Sequence, residues 1–305
     1  MKLIIITGPT ACGKTSIATK LASEINGEII SADSRQVYKG MDIGTGKDLN
    51  EYEINGKKIP YHLIDILDPM ENYSVHNFQK DFSKSCKTIS KNHRIPIVCG
   101  GTGLYIESIL LDYNLSKKPP PNESLRNQLS GYSKDELLNL LGEIASTDDM
   151  SKMILITKKQ IIRNIEIIKN DQPLSGFSLK PLNDTTLIIG LDIERELLRE
   201  RIKTRLEERI DEGMIQEVEG LIKNGMPLNR LDYFGLEYRF IGDYLKKVTT
   251  KDEMIELLTT SIRKFAKRQR TWFRRMEKRG VNIQWIPYND YNSAFSLSKQ
   301  YLDES

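Results

Sequence analysis

Short apolar runs alternate with amphipathic stretches over the first hundred residues. Runs at Leu3-Ile-Ile-Ile6 and Glu28-Ile-Ile30 predict strands, and the stretch between them predicts a helix from about Lys14 to Ile25. This strand–helix–strand order is typical of a parallel sheet. Later apolar runs predict strands at Tyr61 to Ile66, Ile95 to Cys99, Thr185 to Leu191 and Val281 to Ile286. Because the runs are apolar almost throughout, we expect helices to cover both faces of the sheet.

The pattern changes between residues 115 and 182. A Ser/Lys/Pro-rich stretch, Ser116 to Asn122, opens this region, short helical patterns follow, and a Gly/Pro/Ser-rich segment, Gln172 to Pro181, closes it. We interpret 115–182 as a small helical insertion in an α/β core formed by 1–114 and 183–305, with two linked domains as the alternative. From Glu194 to Lys278 the apolar spacing predicts nearly continuous helical structure.

Composition narrows the class of protein. The chain has 305 residues, 39% of them hydrophobic and 29% charged, which is enough to bury a sizeable core. The net charge of +3 says little about nucleic-acid binding, which depends on how the basic residues cluster. Cys12, Cys86 and Cys99 are odd in number and far apart, which argues against a disulfide framework or a zinc site and favours a reducing cytoplasm. No signal sequence or membrane-length apolar run is present, so we expect a cytoplasmic protein without membrane contact, and a monomer by default.

A phosphate-binding loop follows the first predicted strand. The run Gly8-Pro-Thr-Ala-Cys-Gly-Lys-Thr15 fits G-x-x-x-x-G-K-[ST] between a strand and a helix, and this context disfavours a glycine-rich turn without a ligand. Backbone N–H groups and the helix N-terminus would hold a di- or triphosphate, with ATP or another nucleoside triphosphate as the default. Lys14 would neutralise phosphate oxygens, and the Thr15 hydroxyl would ligate Mg²⁺ carried in with the phosphates. The predicted loop residues are Gly8, Pro9, Thr10, Ala11, Cys12, Gly13, Lys14 and Thr15, and Cys12 predicts sensitivity to thiol reagents.

A kinase or ATPase needs a carboxylate at a strand end for its metal ion or its water. The ends of two later strands therefore show whether the phosphate loop could belong to such an enzyme. The strand Ile95 to Cys99 runs into Gly100-Gly-Thr-Gly103, which offers a hydroxyl and backbone N–H groups but no acid. The strand that ends at Leu191 runs into Asp192. Asp192 could be that acid, but its place just before a long helical run favours a helix cap.

The second strand leads to a further carboxylate. Asp33, in Asp33-Ser-Arg-Gln-Val-Tyr38, lies just past the strand's carboxyl end, where open α/β sheets bind ligands. Asp33 is therefore our candidate general base. Taken alone, an aspartate in such a turn caps a helix more often than it acts as a base.

Five motifs occur in order along nearly the whole chain: Gly8 to Thr15, Asp33 to Tyr38, Met41-Asp-Ile-Gly-Thr45, Gly100-Gly-Thr-Gly-Leu-Tyr105 and Ala266-Lys-Arg-Gln-Arg-Thr-Trp-Phe-Arg274. Together they resemble the bacterial tRNA dimethylallyltransferase (tRNA isopentenyltransferase) family. The resemblance implies a P-loop NTPase-like parallel sheet flanked by helices. It also implies transfer of a dimethylallyl group from dimethylallyl pyrophosphate to N6 of the adenosine immediately 3′ of the anticodon in tRNA, with release of pyrophosphate.

The same resemblance assigns roles to individual residues. Asp33 would take a proton from the adenine amine, Thr102 would help hold the pyrophosphate, and Arg205 would stabilise the leaving group. The tRNA contacts that it implies are Asp33, Ser34, Arg35, Gln36, Thr102, Arg126, Lys159, Gln160, Arg163 and Gly235.

Three segments depart from the family pattern. The family's small-Gly-Tyr-basic run is replaced by Phe234-Gly-Leu-Glu-Tyr-Arg239, and its Asn-Asp pair by Ile156-Thr-Lys-Lys159. Gly46 stands where alanine is usual, a change that we expect to be tolerated. None of the three departures falls on the residues proposed for the chemistry.

The segment Arg263 to Arg279 carries nine Lys or Arg and one acid in seventeen residues. We expect Trp272 and Phe273 to pack inward and the basic face to bind the RNA backbone. A smaller basic face at Lys158, Lys159 and Arg163 could complete a clamp on an anticodon stem-loop.

Two other functions are weighed against prenyl transfer. A small-molecule or nucleotide kinase would use Asp33 to activate a hydroxyl and would consume ATP. An RNA-binding nucleotide switch would need no transfer chemistry, so its activities would survive the loss of Asp33. In prenyl transfer a carbon–oxygen bond breaks, and the phosphate loop anchors a leaving group.

Overall fold

The computed structural model describes residues 2–111, 122–153, 157–170 and 186–304. The chain divides into two compact units. The larger unit contains Met1–Leu110 and Pro181–Ser305, and the smaller unit contains the intervening part of the sequence, Leu111–Lys180. The exact boundaries predicted at 114/115 and 182/183 lie outside the described residues. So do most of the predicted linker, 116–121, and the Gly/Pro/Ser-rich segment, 172–181.

A six-stranded parallel sheet forms the centre of the larger unit. Its strands are β1 (Leu3–Thr7), β2 (Gly27–Ser31), β5 (Tyr61–His62), β6 (Ile95–Gly100), β7 (Thr186–Asp192) and β8 (Gln284–Pro287), while β3 (Glu53–Ile54) and β4 (Lys57–Lys58) form a separate antiparallel pair. The order across the sheet is β5-β2-β6-β1-β7-β8. Strand β1 lies between β6 and β7, with Ile4 opposite Ile97 and Leu187. The predicted parallel sheet is confirmed.

Helices cover the sheet because its central strands are apolar on both faces. Every residue of β1 and β2 is buried, and so are Pro96 to Gly100 of β6. In chain order the helices of the described residues are α1 (Lys14–Glu24), α2 (Val75–Lys91), α3 (Gly103–Leu110), α4 (Glu123–Leu129), α5 (Lys134–Ile144), α6 (Thr147–Lys152), α7 (Lys158–Ile168), α8 (Arg195–Asp211), α9 (Met214–Lys223), α10 (Leu236–Leu245), α11 (Lys251–Lys278) and α12 (Tyr291–Asp303). No helix of the described ranges is both long and apolar enough to cross a membrane.

Two predicted strands are shorter than their apolar runs. Strand β5 ends at His62 instead of Ile66, because Leu63 and Asp65 adopt positive φ angles of 63° and 56°, which no strand residue has. Strand β8 begins at Gln284, three residues after the predicted start. In β7 the predicted first residue, Thr185, lies outside the described residues.

The smaller unit is helical, with α4 to α7 packed around a core of its own. This core contains the buried residues Leu129, Leu137, Leu141, Ile161 and Ile165. Burying each such side chain contributes about 1.5–3 kcal/mol. Capping boxes at Ser133, Ser146 and Thr157 fix the starts of α5, α6 and α7.

Candidate active site

A cavity of about 560 Å³ opens at the carboxyl ends of the sheet strands in the larger unit. Ligands bind at this edge in open α/β sheets, because the turns after neighbouring parallel strands meet there. Twelve of the predicted site residues line it, namely Thr10, Ala11, Gly13, Lys14, Thr15, Asp33, Ser34, Arg35, Gln36, Thr102, Arg205 and Gly235. The loop residues Gly8, Pro9 and Cys12 are buried and do not line the cavity. Cys12 is fully buried, which corrects the expectation that thiol reagents reach it.

The phosphate loop runs directly from β1 into α1. Gly13 begins the helix with a φ of 88°, a left-handed conformation in which a larger residue would be strained. The Lys14 ammonium donates a hydrogen bond to the Pro9 carbonyl at 2.6 Å, so its charge lies over the loop. This arrangement suits an anionic ligand, which the loop amides, the helix N-terminus and Lys14 all attract.

Asp33 and Thr102 are brought together by the turns after the adjacent strands β2 and β6. The Asp33 carboxylate accepts a hydrogen bond from the Arg35 N–H at 2.8 Å, and the Ser34 N–H donates to the Thr102 hydroxyl oxygen at 3.2 Å. Asp33 caps no helix of the described chain, so that alternative is wrong, and its carboxylate lies at the cavity wall. The two predicted catalytic groups thus share one side of the cavity.

Three arginines of α8 also line the cavity. Arg201, Arg205 and Arg209 recur every four residues and line the cavity together. The Arg201 Nε donates to the Ala11 carbonyl of the phosphate loop at 2.8 Å, while Arg205 and Arg209 both pair with Asp48. Sequence analysis found only Arg205. The four-residue spacing, which places all three on one helix face, would have identified the other two.

Sequence analysis also missed three acids in the cavity wall, Asp48, Glu51 and Glu237. Burial acts to raise the pKa of Asp48, but the charges of Arg205 and Arg209 outweigh it and hold this pKa below its ordinary value. Burial, and after it the charge of Asp48, raises the pKa of Glu51. Burial likewise raises the pKa of Glu237. Burial thus disfavours the charged form of Glu51 and Glu237, whereas the arginines favour the charged form of Asp48.

An apolar wall lies beside these charges. It includes Leu104, Ile262, Phe265 and Trp272. Phe273 is fully buried, as predicted, whereas Trp272 faces the cavity and packs against Gly103, where a Cβ atom would lie 2.5 Å from the indole ring. The Arg275 guanidinium stacks on Trp272 at 3.9 Å from its ring centre. The cavity can hold a ligand with both an anionic and an apolar part.

Two family models and a named relative match this chain. A model described as IPP transferase matches residues 36–276, and one described as isopentenyl transferase matches residues 1–62. A protein of Bacteroides fragilis named tRNA dimethylallyltransferase 2 is 48% identical over 305 residues, which cover 99% of this chain and 98% of the relative. The chain belongs to the tRNA dimethylallyltransferase family. It is an enzyme of the prenyltransferase class.

Two solved structures have the same fold. The full-length tRNA isopentenylpyrophosphate transferase of Bacillus halodurans is 33% identical, with a TM-score of 0.72, and the match covers 99% of this chain and 97% of that one. A tRNA isopentenylpyrophosphate transferase of Staphylococcus epidermidis is 31% identical with a TM-score of 0.69, covering 99% of both chains. The P-loop NTPase-like fold that the motifs implied is confirmed.

The residue that caps α8 is not the one that the sequence predicts. Asp192 does not cap α8, because Glu194 does so by accepting hydrogen bonds from the N–H groups of Glu196 and Leu197, both at 2.9 Å. Asp192 pairs instead with Arg270 of α11 at 2.9 Å and does not line the cavity. It is therefore not placed as the catalytic acid of an ATPase.

The two departures from the family pattern near the cavity have structural explanations. Gly235 has a φ of 113° at the start of α10, so glycine is required there. Its neighbour Phe234 is buried, and the Tyr238 hydroxyl donates to the Glu217 carboxylate at 2.7 Å. At Gly46 a Cβ atom would lie 2.6 Å from the Arg209 Cζ, so glycine leaves room for this guanidinium.

The smaller unit carries the remaining predicted tRNA contacts. Arg126 and Arg163 both pair with the fully buried carboxylate of Glu166, at 2.6 and 2.8 Å. The Gln160 side chain accepts from the Thr157 N–H at 2.9 Å and so helps to cap α7. Lys159 is exposed. Ile156, the first residue of the departing segment Ile156 to Lys159, lies outside the described residues.

One hydroxyl of the cavity fits the Mg²⁺ that the phosphate-loop motif predicts. Within the described ranges no group of three or more His, Cys, Asp or Glu residues is arranged to hold a metal ion. Thr15 lines the cavity at the start of α1, beside Lys14. A single protein hydroxyl is enough for Mg²⁺ that arrives bound to phosphates, because water and the substrate supply most of the ligands of this ion.

Proposed function

We propose that this enzyme transfers a dimethylallyl group from dimethylallyl pyrophosphate to N6 of the adenosine immediately 3′ of the anticodon in tRNA, and releases pyrophosphate. The observation that carries the proposal is the single cavity in which the phosphate loop, Asp33, Thr102 and the α8 arginines meet beside an apolar wall. The donor has the same two-part chemistry, a charged pyrophosphate and a small apolar group.

The phosphate loop stabilises the leaving group. When the carbon–oxygen bond of the donor breaks, its electron pair stays on the pyrophosphate oxygen and the allylic carbon becomes cationic. Lys14, Arg205, the loop amides and Thr102 face the place where this negative charge develops. Removing one such donor typically lowers the rate on the order of a hundred- to a thousandfold. Mg²⁺ held by the Thr15 hydroxyl and the phosphates would neutralise part of the same charge.

Asp33 serves as the general base. The adenine amine is a weak nucleophile, because its lone pair is delocalised into the ring. Its nitrogen forms the new bond to the allylic carbon while one of its protons passes to the Asp33 carboxylate. The Arg35 N–H, which donates to this carboxylate at 2.8 Å, keeps it directed along the turn. The adenine must leave the stacked anticodon loop to reach this depth.

The basic face of α11 binds the RNA backbone. Of the nine cations in the segment Arg263 to Arg279, which comprises the end of α11 and its C-cap residue, three are engaged with acids. Arg270 pairs with Asp192, and both Arg275 and Arg279 pair with the buried Glu107. The exposed cations left to meet phosphates are Lys264, Lys267, Arg268, Arg274 and Lys278. Lys158 and Lys159 of the smaller unit are exposed as well. Such contacts orient the tRNA before a base is selected.

The kinase alternative is not favoured. A kinase would need a carboxylate for metal or water at the end of a strand that borders the loop. Asp192, the acid at the end of β7, is paired with Arg270 outside the cavity.

The decisive experiment incubates the enzyme with labelled dimethylallyl pyrophosphate, Mg²⁺ and total tRNA, followed by nucleoside analysis. We expect label in N6-modified adenosine, and loss of that label in Asp33→Ala. Asp232→Asn, at an exposed position outside the cavity, is the matched control and should keep full activity. Release of ADP in a parallel incubation with ATP, together with no label in tRNA, would overturn the proposal in favour of a kinase. Activity that persists in Asp33→Ala would overturn the assignment of the base.

A further inference from the structure

One carboxylate holds two of the three α8 arginines that line the cavity. Asp48 pairs with the Arg205 Nη2 through its Oδ2 and with the Arg209 Nη2 through its Oδ1, the latter at 3.2 Å. All three residues line the cavity. The side chains of Asp48 and Arg205 keep 30% of their surface exposed, whereas Arg209 keeps 11%. Of the two arginines, Arg205 is therefore the more accessible to a ligand.

The chain between β2 and β3 is shaped to allow this arrangement. Asp48 itself has a φ of 47°, in the left-handed region. Gly46, with a φ of 62°, leaves space where a Cβ atom would lie 2.6 Å from the Arg209 Cζ and 2.9 Å from the Arg205 Nη2. The Gly46 carbonyl accepts from Gln36 Nε2 at 2.8 Å, which ties the segment to the turn that carries Asp33.

Electrostatics explains why a carboxylate is needed here. Burial, and after it the charge of Arg205, lowers the pKa of Arg209, so the two guanidinium groups repel one another. A carboxylate between them compensates this repulsion. Without it, a nearly buried Arg209 would push Arg205 toward solvent, and an arginine that must first reorganise stabilises a leaving group less well than one already in place.

We propose that Asp48 is a positioning residue, which holds Arg205 at the cavity so that it meets the departing pyrophosphate without rearrangement. The inference rests on the role given to Arg205 in the proposed function. Asp48 touches neither of the reacting atoms and acts through its two arginines.

The test compares Asp48→Asn with the parent enzyme in steady-state prenylation of a tRNA substrate. Asparagine tolerates a positive φ and keeps one acceptor oxygen, so the substitution removes the charge with little change to the backbone. We expect kcat to fall about tenfold or more, short of the roughly hundred- to thousandfold loss for a direct donor, while KM for dimethylallyl pyrophosphate changes less. Asp48→Glu, which restores the charge, should lie between the two.

Arg205→Ala and the double variant separate this inference from the proposed function. If Asp48 acts through Arg205, Asp48→Asn should have little further effect in the Arg205→Ala background. Full activity of Arg205→Ala would show that the assignment of Arg205 is wrong. A large loss in Arg205→Ala together with an unchanged kcat in Asp48→Asn would overturn only the role of Asp48.

Two further outcomes would also contradict the inference. A lower KM with unchanged kcat in Asp48→Asn would mean that the carboxylate competes with the pyrophosphate for Arg205. Activity of Asp48→Glu at or below that of Asp48→Asn would mean that the charge is not what matters. Urea denaturation checks that each variant is folded, and Glu53→Gln, an exposed acid outside the cavity, is the matched control.

Discussion

The Gln269 side chain of α11 accepts a hydrogen bond from the Thr10 N–H of the phosphate loop at 2.8 Å. Its Nε2 donates to the Gly101 carbonyl, also at 2.8 Å, so one buried amide joins the loop after β1 to the turn after β6. The helix that carries the basic face is thereby fixed to the phosphate loop and to the turn that carries Thr102.

Replacement of Gln269 by Leu should weaken donor binding. The change leaves the Thr10 N–H and the Gly101 carbonyl without this partner, and an unsatisfied buried group costs about 1–3 kcal/mol. We expect KM for dimethylallyl pyrophosphate to rise and the free energy of unfolding to fall. Steady-state kinetics and urea denaturation measure the two effects. An unchanged KM in Gln269→Leu would contradict the importance of this side chain for donor binding.

The meeting of Asp33 and Thr102 could be predicted from the sequence. Each follows a buried strand, and parallel strands bring such turns to one edge of the sheet. The phosphate loop could be predicted for the same reason, since its pattern fixes a strand on one side and a helix on the other.

The hydrogen bonds and ion pairs of Gln269 and Asp48 could not be predicted in this way. Gln269 reaches a loop about 260 positions earlier in the chain, and Asp48 reaches arginines more than 150 positions later, so no local pattern links them. The misplaced cap at Asp192 has a local cause. Two acids stood before the same helix, and the one nearer to the first turn, Glu194, had the better geometry.

Thr15→Ala should raise the Mg²⁺ concentration needed for half-maximal activity. The substitution removes the hydroxyl proposed to ligate the ion and leaves the loop amides and Lys14 in place. Initial rates measured across a Mg²⁺ series test this. The matched control is Ser16→Ala, since Ser16 is the next residue of α1 and is exposed. Equal Mg²⁺ dependence of the two variants would remove Thr15 from the metal site.

Gly100→Ala should destabilise the turn that presents Thr102. A Cβ atom there would lie 2.5 Å from the Ala32 carbonyl carbon, a backbone atom of the neighbouring turn that cannot move alone. Such overpacking costs typically about 1–3 kcal/mol, and we expect a loss of this size in urea denaturation. Gly220→Ala, in α9 with open space around the Cβ position, should instead gain up to about 1 kcal/mol.

Glu51→Gln should make the protein more stable at pH 8 but not at pH 4. One carboxylate oxygen of Glu51 is buried without a hydrogen-bond partner among the described residues, and burial, followed by the charge of Asp48, raises its pKa. The folded protein then binds this proton more tightly than the unfolded chain, so stability is lost as pH rises through the raised pKa. Urea denaturation at both pH values measures the difference. A gain that is equal at pH 4 and pH 8 would show that ionisation is not its cause.

Substitutions on the basic face of α11 should weaken tRNA binding in a salt-dependent way. Lys267 and Arg274 are exposed, and a cation that contacts a phosphate contributes through the release of counterions. For Lys267→Ala and Arg274→Ala we expect lower affinity and a slope of log K against log salt that is smaller by about 1 for each phosphate that is no longer neutralised. Filter binding of tRNA across a salt series measures this slope. Lys58→Ala, an exposed lysine of β4, is the matched control and should leave the slope unchanged. A basic face that serves only solubility would leave the slope unchanged in all three variants.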